Sequence, residues 1–74
     1  MRRYYFDIDD GTFIRDEVGR AMEGDDILKA EALQVAAELM KAEAKEAKET
    51  AIQLSVRDET GEQKLVIRVV CQVE

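Results

Sequence analysis

Asp7, Asp9 and Asp10 crowd three carboxylates into four residues, directly ahead of Gly11 and Thr12. Clustered carboxylates repel one another, and a hard cation relieves that repulsion by binding their oxygens. A metal held there would serve a weak hydrolase. Two further acid pairs, Asp16-Glu17 and Asp58-Glu59, offer the carboxylate couple that hydrolysis of a glycosidic bond requires. Against both readings stands the ordinary use of Asp beside Gly. An Asp side chain accepts from nearby backbone N–H groups, and Gly enters positive φ without a Cβ clash, so together they make a solvated turn. A chain of 74 residues also rarely encloses a catalytic cleft. The expectation is that these acids are structural, with no catalytic set, no metal site and no cofactor.

The turn reading gains weight from a five-residue phrase that occurs twice. Arg15-Asp16-Glu17-Val18-Gly19 returns as Arg57-Asp58-Glu59-Thr60-Gly61, each copy behind a strand-like run. Residues 6–12 are also similar to the nucleophile loop of haloacid-dehalogenase-type phosphatases, in which an apolar strand enters Asp-x-Asp-Gly-Thr. Here Asp10 separates the acid pair from Gly11-Thr12, and the chain is too short for that fold's parallel sheet. A calcium loop of the EF-hand kind fits no better. Gly11 falls one position early, and no helices flank the run.

The formal net charge is −6, and residues 1–26 carry −4 of it, from four Arg against eight acids. Such a surface repels phosphate backbones, which disfavours nucleic acid as a partner and leaves a basic protein compatible. There is no His, and Cys71 is the single cysteine, so an internal disulfide and His/Cys metal sites are excluded. A lone Cys in an apolar strand behaves as a small buried hydrophobe. No apolar run is long enough to span a membrane, and residues 1–10 lack a signal-peptide core. The expected location is the cytoplasm.

Short strands and one helix must position these residues. Tyr4, Phe6 and Ile8 alternate with Arg3, Tyr5 and Asp7, the period of a half-buried strand. Asp9-Asp10-Gly11 turns the chain into a short return strand over residues 12–15. Residues 20–24 are irregular, with Ala21 and Met22 able to extend the sheet edge. Asp25 or Asp26 then caps a helix running to about residue 48, composed of strong helix formers and with Lys45 and Lys48 at its negative end. Its apolar face is wide: Leu28, Ala32, Leu33, Val35, Ala36, Ala37, Leu39, Met40, Ala44 and Ala47 cover about half the wheel. That width leaves room for a second subunit. Residues 51–57 set Ile52, Leu54 and Val56 on one face. Leu65 to Val73 is apolar on both faces, the mark of a central strand or of a covered outer surface.

These elements predict an α+β fold, with residues 1–74 forming a single domain. It is a two-layer ββαββ arrangement: a four-stranded, mainly antiparallel sheet with one long helix packed on one face. Strand order 2-1-3-4 keeps every neighbour antiparallel and is favoured. Order 2-1-4-3 would bring the apolar last strand inside at the expense of one parallel pair. With the helix over Phe6, the open face carries Tyr5, Val66, Arg68 and Val70, a candidate interaction surface.

Arg3-Tyr4-Tyr5-Phe6-Asp7, Asp10-Gly11, Asp16-Glu17-Val18-Gly19, the Ala30-Glu31-Ala32 helix and Val56 to Gly61 together resemble a family of small uncharacterised proteins. That family is abundant in rhizobia and other alphaproteobacteria and is a domain of unknown function, so the resemblance carries over no catalytic residues. The chain departs from it at residues 20–26, where Gly24-Asp25-Asp26 replaces a Gly-x-x-x-Pro-Asp-type run. A fainter similarity, through Gly24-Asp25-Asp26-Ile27-Leu28-Lys29-Ala30, points to HicB-type antitoxins, although the Pro-Asp-x-Pro-Gly segment usual there is missing. The functional expectations follow from these features. The first is a non-enzymatic protein-interaction module that self-associates as a homodimer. The alternatives are an acidic antitoxin-like antagonist of a basic protein, and a weak metal-binding hydrolase built on Asp7 and Asp9.

Overall fold

The computed structural model describes residues 1–43 and 49–72. The chain runs β1 (Arg2–Asp9), β2 (Phe13–Ile14), β3 (Arg20–Met22), α1 (Asp25–Glu43), β4 (Glu49–Asp58) and β5 (Gln63–Gln72). The expected helix end at Ala44 to Lys48, and Val73 of the last strand, lie outside the described residues. The sheet order is β2-β1-β4-β5, with β3 also pairing β1, and every pairing is antiparallel. The favoured strand order is the one observed. A short turn joins β4 to β5, so β5 falls at the edge of the sheet even though both of its faces are apolar.

Period-two alternation places the core. Tyr4, Phe6 and Ile8 of β1 lie opposite Asp58, Val56 and Leu54 of β4, all on the face that α1 covers. Tyr4, Leu54 and Val56 are fully buried. Burial of an aliphatic side chain of this size stabilises the fold by about 1.5–3 kcal/mol. The helix lays Leu28, Ala32 and Ala36, spaced four residues apart, onto that surface. The alanines let the helix backbone approach the sheet closely. A cylinder resting on a flat sheet touches it along only a narrow stripe, so the wide apolar face divides. Val35, Leu39 and Met40 are half-buried, whereas Ala37 and Leu33 are exposed, Leu33 at 49%.

Two local expectations need correction. The Gly24 carbonyl accepts the first helical bond, from Leu28 N–H at 3.3 Å, so Gly24 holds the capping position instead of Asp25 or Asp26. Both aspartates sit in the first turn, where their charge suits the helix dipole. The Asp25 carboxylate is engaged elsewhere, accepting from the Tyr4 hydroxyl at 3.1 Å. That bond satisfies the one polar atom of a side chain otherwise enclosed by hydrocarbon. The second concerns residues 20–24, which are not irregular throughout: Arg20–Met22 form β3 and pair with Tyr4, Arg3 and Arg2, so Ala21 and Met22 do extend the sheet edge as their sequence allowed. No helix among the described residues is long and apolar enough to cross a membrane.

A polar cluster as the candidate functional site

β2 and β3 share one edge of β1 but do not join. Ile14 lies opposite Ile8, and Arg20 lies opposite Tyr4. Residues 15–19 must therefore span what residues 5–7 span on β1, and the excess chain loops out. This detour is the first copy of the repeated phrase. Asp16 fills the resulting gap in the ladder. Its carboxylate accepts from the Phe6 backbone N–H at 3.1 Å, taking the place of a strand carbonyl, and from the Val18 and Gly19 N–H groups at 3.0 Å each. The Asp16 N–H in turn donates to Asp7 at 2.9 Å.

Arg57, the first residue of the second copy, closes the cluster from β4. Its Nε donates to the other Asp7 oxygen at 2.9 Å, and its Nη2 donates to the Asp16 carbonyl at 2.8 Å. The guanidinium lies 4.4 Å from the centroid of the Tyr5 ring, the geometry of a cation–π contact. Gly19, at φ +73°, packs so tightly on Tyr4 and Tyr5 that a Cβ there would lie 2.8 Å from the Tyr4 carbonyl oxygen. On the helix-covered side, Arg20 sits 5.1 Å from the Phe6 centroid and pairs with Glu31 at 2.7 Å. It thereby ties the β3 edge to one flank of α1.

The second copy of the phrase is also a carboxylate-built turn. Asp58 Oδ1 accepts from the Thr60 N–H, the Thr60 hydroxyl and the Glu62 N–H. Gly61 turns at φ +90°. The Asp9 and Asp10 carboxylates accept from the N–H groups of Gly11 and Thr12.

The electrostatics follow from these bonds. Burial pushes the Asp16 carboxyl upward. The Gly19, Phe6 and Val18 N–H groups and the Arg20 charge outweigh it and hold the group below the usual 3.8. Asp58 is likewise lowered, first by the Thr60 hydroxyl, then by backbone N–H groups and Lys64 against a desolvation that opposes them. Lys64 is raised above 10.5, chiefly by its bond to Glu62.

Chemically, this cluster presents charges already matched. Asp7 and Asp16 meet, but a guanidinium and backbone donors occupy their oxygens. Asp16 works on the outer edge of β1, while Asp58 lies across from Tyr4 on β4, so the two acid pairs of the repeat do not converge. Among the described residues, no three His, Cys, Asp or Glu side chains are grouped to hold a metal ion. Tyr5 lies on the open sheet face, half-buried beneath Arg57. Val66, Arg68 and Val70 share that face on β5, opposite Ser55, Gln53 and Ala51. Arg68 donates to Gln53 at 3.0 Å, and Val70 is 70% exposed. Strand β4 therefore stands between Tyr5 and the other three. The sequence does not announce the Asp7–Arg57 link. Its only signal was that Arg57 shares the outward parity of Ser55 and Gln53 while Asp7 shares that of Tyr5.

Fold and cluster together define a small α+β domain in which Asp7, Asp9, Asp10, Asp16 and Asp58 shape the sheet edge and the turns. The chain belongs to the family described as Domain of unknown function (DUF6894), whose model matches residues 3–71. No curated protein and no solved structure matches it.

Proposed function

We propose that this chain is a non-enzymatic protein-interaction module that works as a homodimer in the cytoplasm. One contrast carries the reading. The groups able to do chemistry, Asp7, Asp16, Asp58 and Arg57, are engaged within the fold, whereas Leu33, Val70, Phe13 and Ile14 are large apolar side chains left in water. Exposed apolar surface on a small domain is the material of an interface. Dimerisation also supplies buried area that a chain of 74 residues lacks by itself. Sedimentation analysis across micromolar concentrations tests this. A dimer is expected, and a strict monomer at high micromolar concentration overturns it.

A second reading, an acidic antagonist of a basic partner protein in the manner of an antitoxin, draws on the exposed Asp9, Asp10, Glu17, Glu23 and Asp26. These acids lie within the segment that carries −4 of the −6 net charge. Capture of a basic protein at low salt, released as salt rises, is its signature. A short basic protein encoded beside this one supports it, and recovery of no basic partner at low salt counts against it.

A further inference from the structure

We infer that a second copy of this chain docks edge to edge on β5, joining two sheets about a two-fold axis at Ile67 and packing the two α1 helices across it. This inference rests on the self-association reading above and gives it a surface.

The two edges of the sheet are unequal. On one side, β2 and β3 are short and interrupted by the Asp16 detour, whose carboxylate already occupies the free Phe6 N–H. Interrupted and bulged edges resist strand addition. On the other side, β5 pairs only with β4 among the described residues and runs in regular register from Leu65 to Gln72. An edge of that kind presents a row of unmet N–H and C=O groups. Its two cations do not guard it. Lys64 is drawn back to Asp58 and Glu62, and Arg68 to Gln53 on β4. With only one edge open, pairing closes at two copies and cannot propagate.

The helix independently presents an unpartnered flank on that side. The Arg20–Glu31 pair fixes Glu31 toward the β3 edge. At 100° per residue, Leu33 and Met40 lie about 200° and 180° around the axis from Glu31. They therefore project toward the β5 edge, with Leu33 exposed and Met40 half-buried. Spacing unites the two features. α1 lies over β4 and β5 nearly equally. With strands about 4.8 Å apart, a sheet continued from β5 to its copy sets the two helix axes roughly 10 Å apart, a close-packing distance for helices.

Overlap length and charge together select the register. Keeping both helices on one side requires like faces to match, so one residue must lie opposite itself. Within Gln63–Gln72, centring on Ile67 or on Arg68 pairs the most residues, and centring on Arg68 opposes two guanidiniums. Centring on Ile67 sets Arg68 against Val66, Lys64 against Val70 and Leu65 against Val69, with no like charges facing.

The test compares Val66→Lys with Val66→Glu by sedimentation, with circular dichroism to verify the fold. Position 66 is on the open face, and symmetry presents each change twice. Lysine opposite Arg68 of the second copy is expected to loosen the dimer by about tenfold, while glutamate there maintains or tightens it. Separately, Ile67→Cys in a Cys71→Ser background is expected to oxidise to a covalent dimer, because opposed antiparallel Cα atoms lie about 4.5–5.5 Å apart, within disulfide reach. A wild-type protein that stays monomeric overturns both the module reading and this surface. Dimers that withstand Val66→Lys and fail to cross-link leave self-association standing and overturn this geometry alone.

Discussion

Arg57 and Asp7, 50 positions apart in the chain, meet at 2.9 Å on the open face of the sheet. Their side chains are 18% and 10% exposed, so the pair is largely desolvated. The same guanidinium bonds the Asp16 carbonyl and covers the Tyr5 ring. One side chain thus joins β4, β1 and the loop between β2 and β3.

Arg57→Ala would strand the Asp7 carboxylate in a partly buried site. A loss of about 2–4 kcal/mol in urea unfolding is expected, since removing one partner leaves the other charge uncompensated. Arg57→Lys would restore only part of this, because an ammonium lacks the planar fork and stacking of a guanidinium. Equal stability of the alanine variant and the wild type would show that the cluster contributes nothing.

Acid should weaken the fold through Asp16 and Asp58. Both are held below 3.8, so in the folded protein they bind protons less readily than in the unfolded chain. Their contribution is present in full above that value and is lost as pH falls through the depressed folded values. Unfolding curves from pH 6 down to pH 2 should show this decline, and Asp16→Asn should flatten it. Lys64 has the opposite sign. Raised above 10.5, it contributes fully below that value and loses its contribution as pH rises past it.

The glycines of the two phrases should respond differently. Gly19→Ala places a Cβ 2.8 Å from a backbone oxygen at φ +73°, adding collision to backbone strain. An expected loss of about 2–4 kcal/mol follows. Gly61→Ala, at φ +90° but with open space around it, meets the strain alone and should lose about 1 kcal/mol. Similar melting curves for the two variants would contradict the packing of Gly19 on Tyr4 and Tyr5.

Tyr4→Phe removes the hydroxyl that joins β1 to the first turn of α1. About 1 kcal/mol should be lost, together with faster amide exchange at residues 25–28. An unchanged exchange pattern would separate the helix start from this bond.

Leu33→Glu alters an exposed flank and no core contact. Monomer stability should change by less than about 0.5 kcal/mol, while self-association measured by sedimentation should weaken. Weakened folding with unaltered association would place Leu33 in the core instead.

Much of this fold was legible in local chemistry. Alternation at Tyr4-Phe6-Ile8 and Ile52-Leu54-Val56 states which side chains turn inward, whatever the neighbours are. The two Arg-Asp-Glu-x-Gly phrases state where the chain bends, because the aspartate reaches its own following N–H groups and only glycine enters positive φ freely. Helix composition over residues 27–43 is equally local.

Other features were not local and waited for the assembled sheet. Asp16 serves as a ladder rung only because β2 and β3 fall out of step along β1. Arg57 finds Asp7 only because β4 lies against β1 in one particular register. The helix's wide apolar face shows what could be buried, and the docking of α1 over β4 and β5 decided that Ala36 would be and Leu33 would not. Periodicity and turn chemistry act over a few residues and can be read along a string. Register, helix rotation and the choice of a bare edge depend on which distant segments become neighbours, and that is settled only when the core closes.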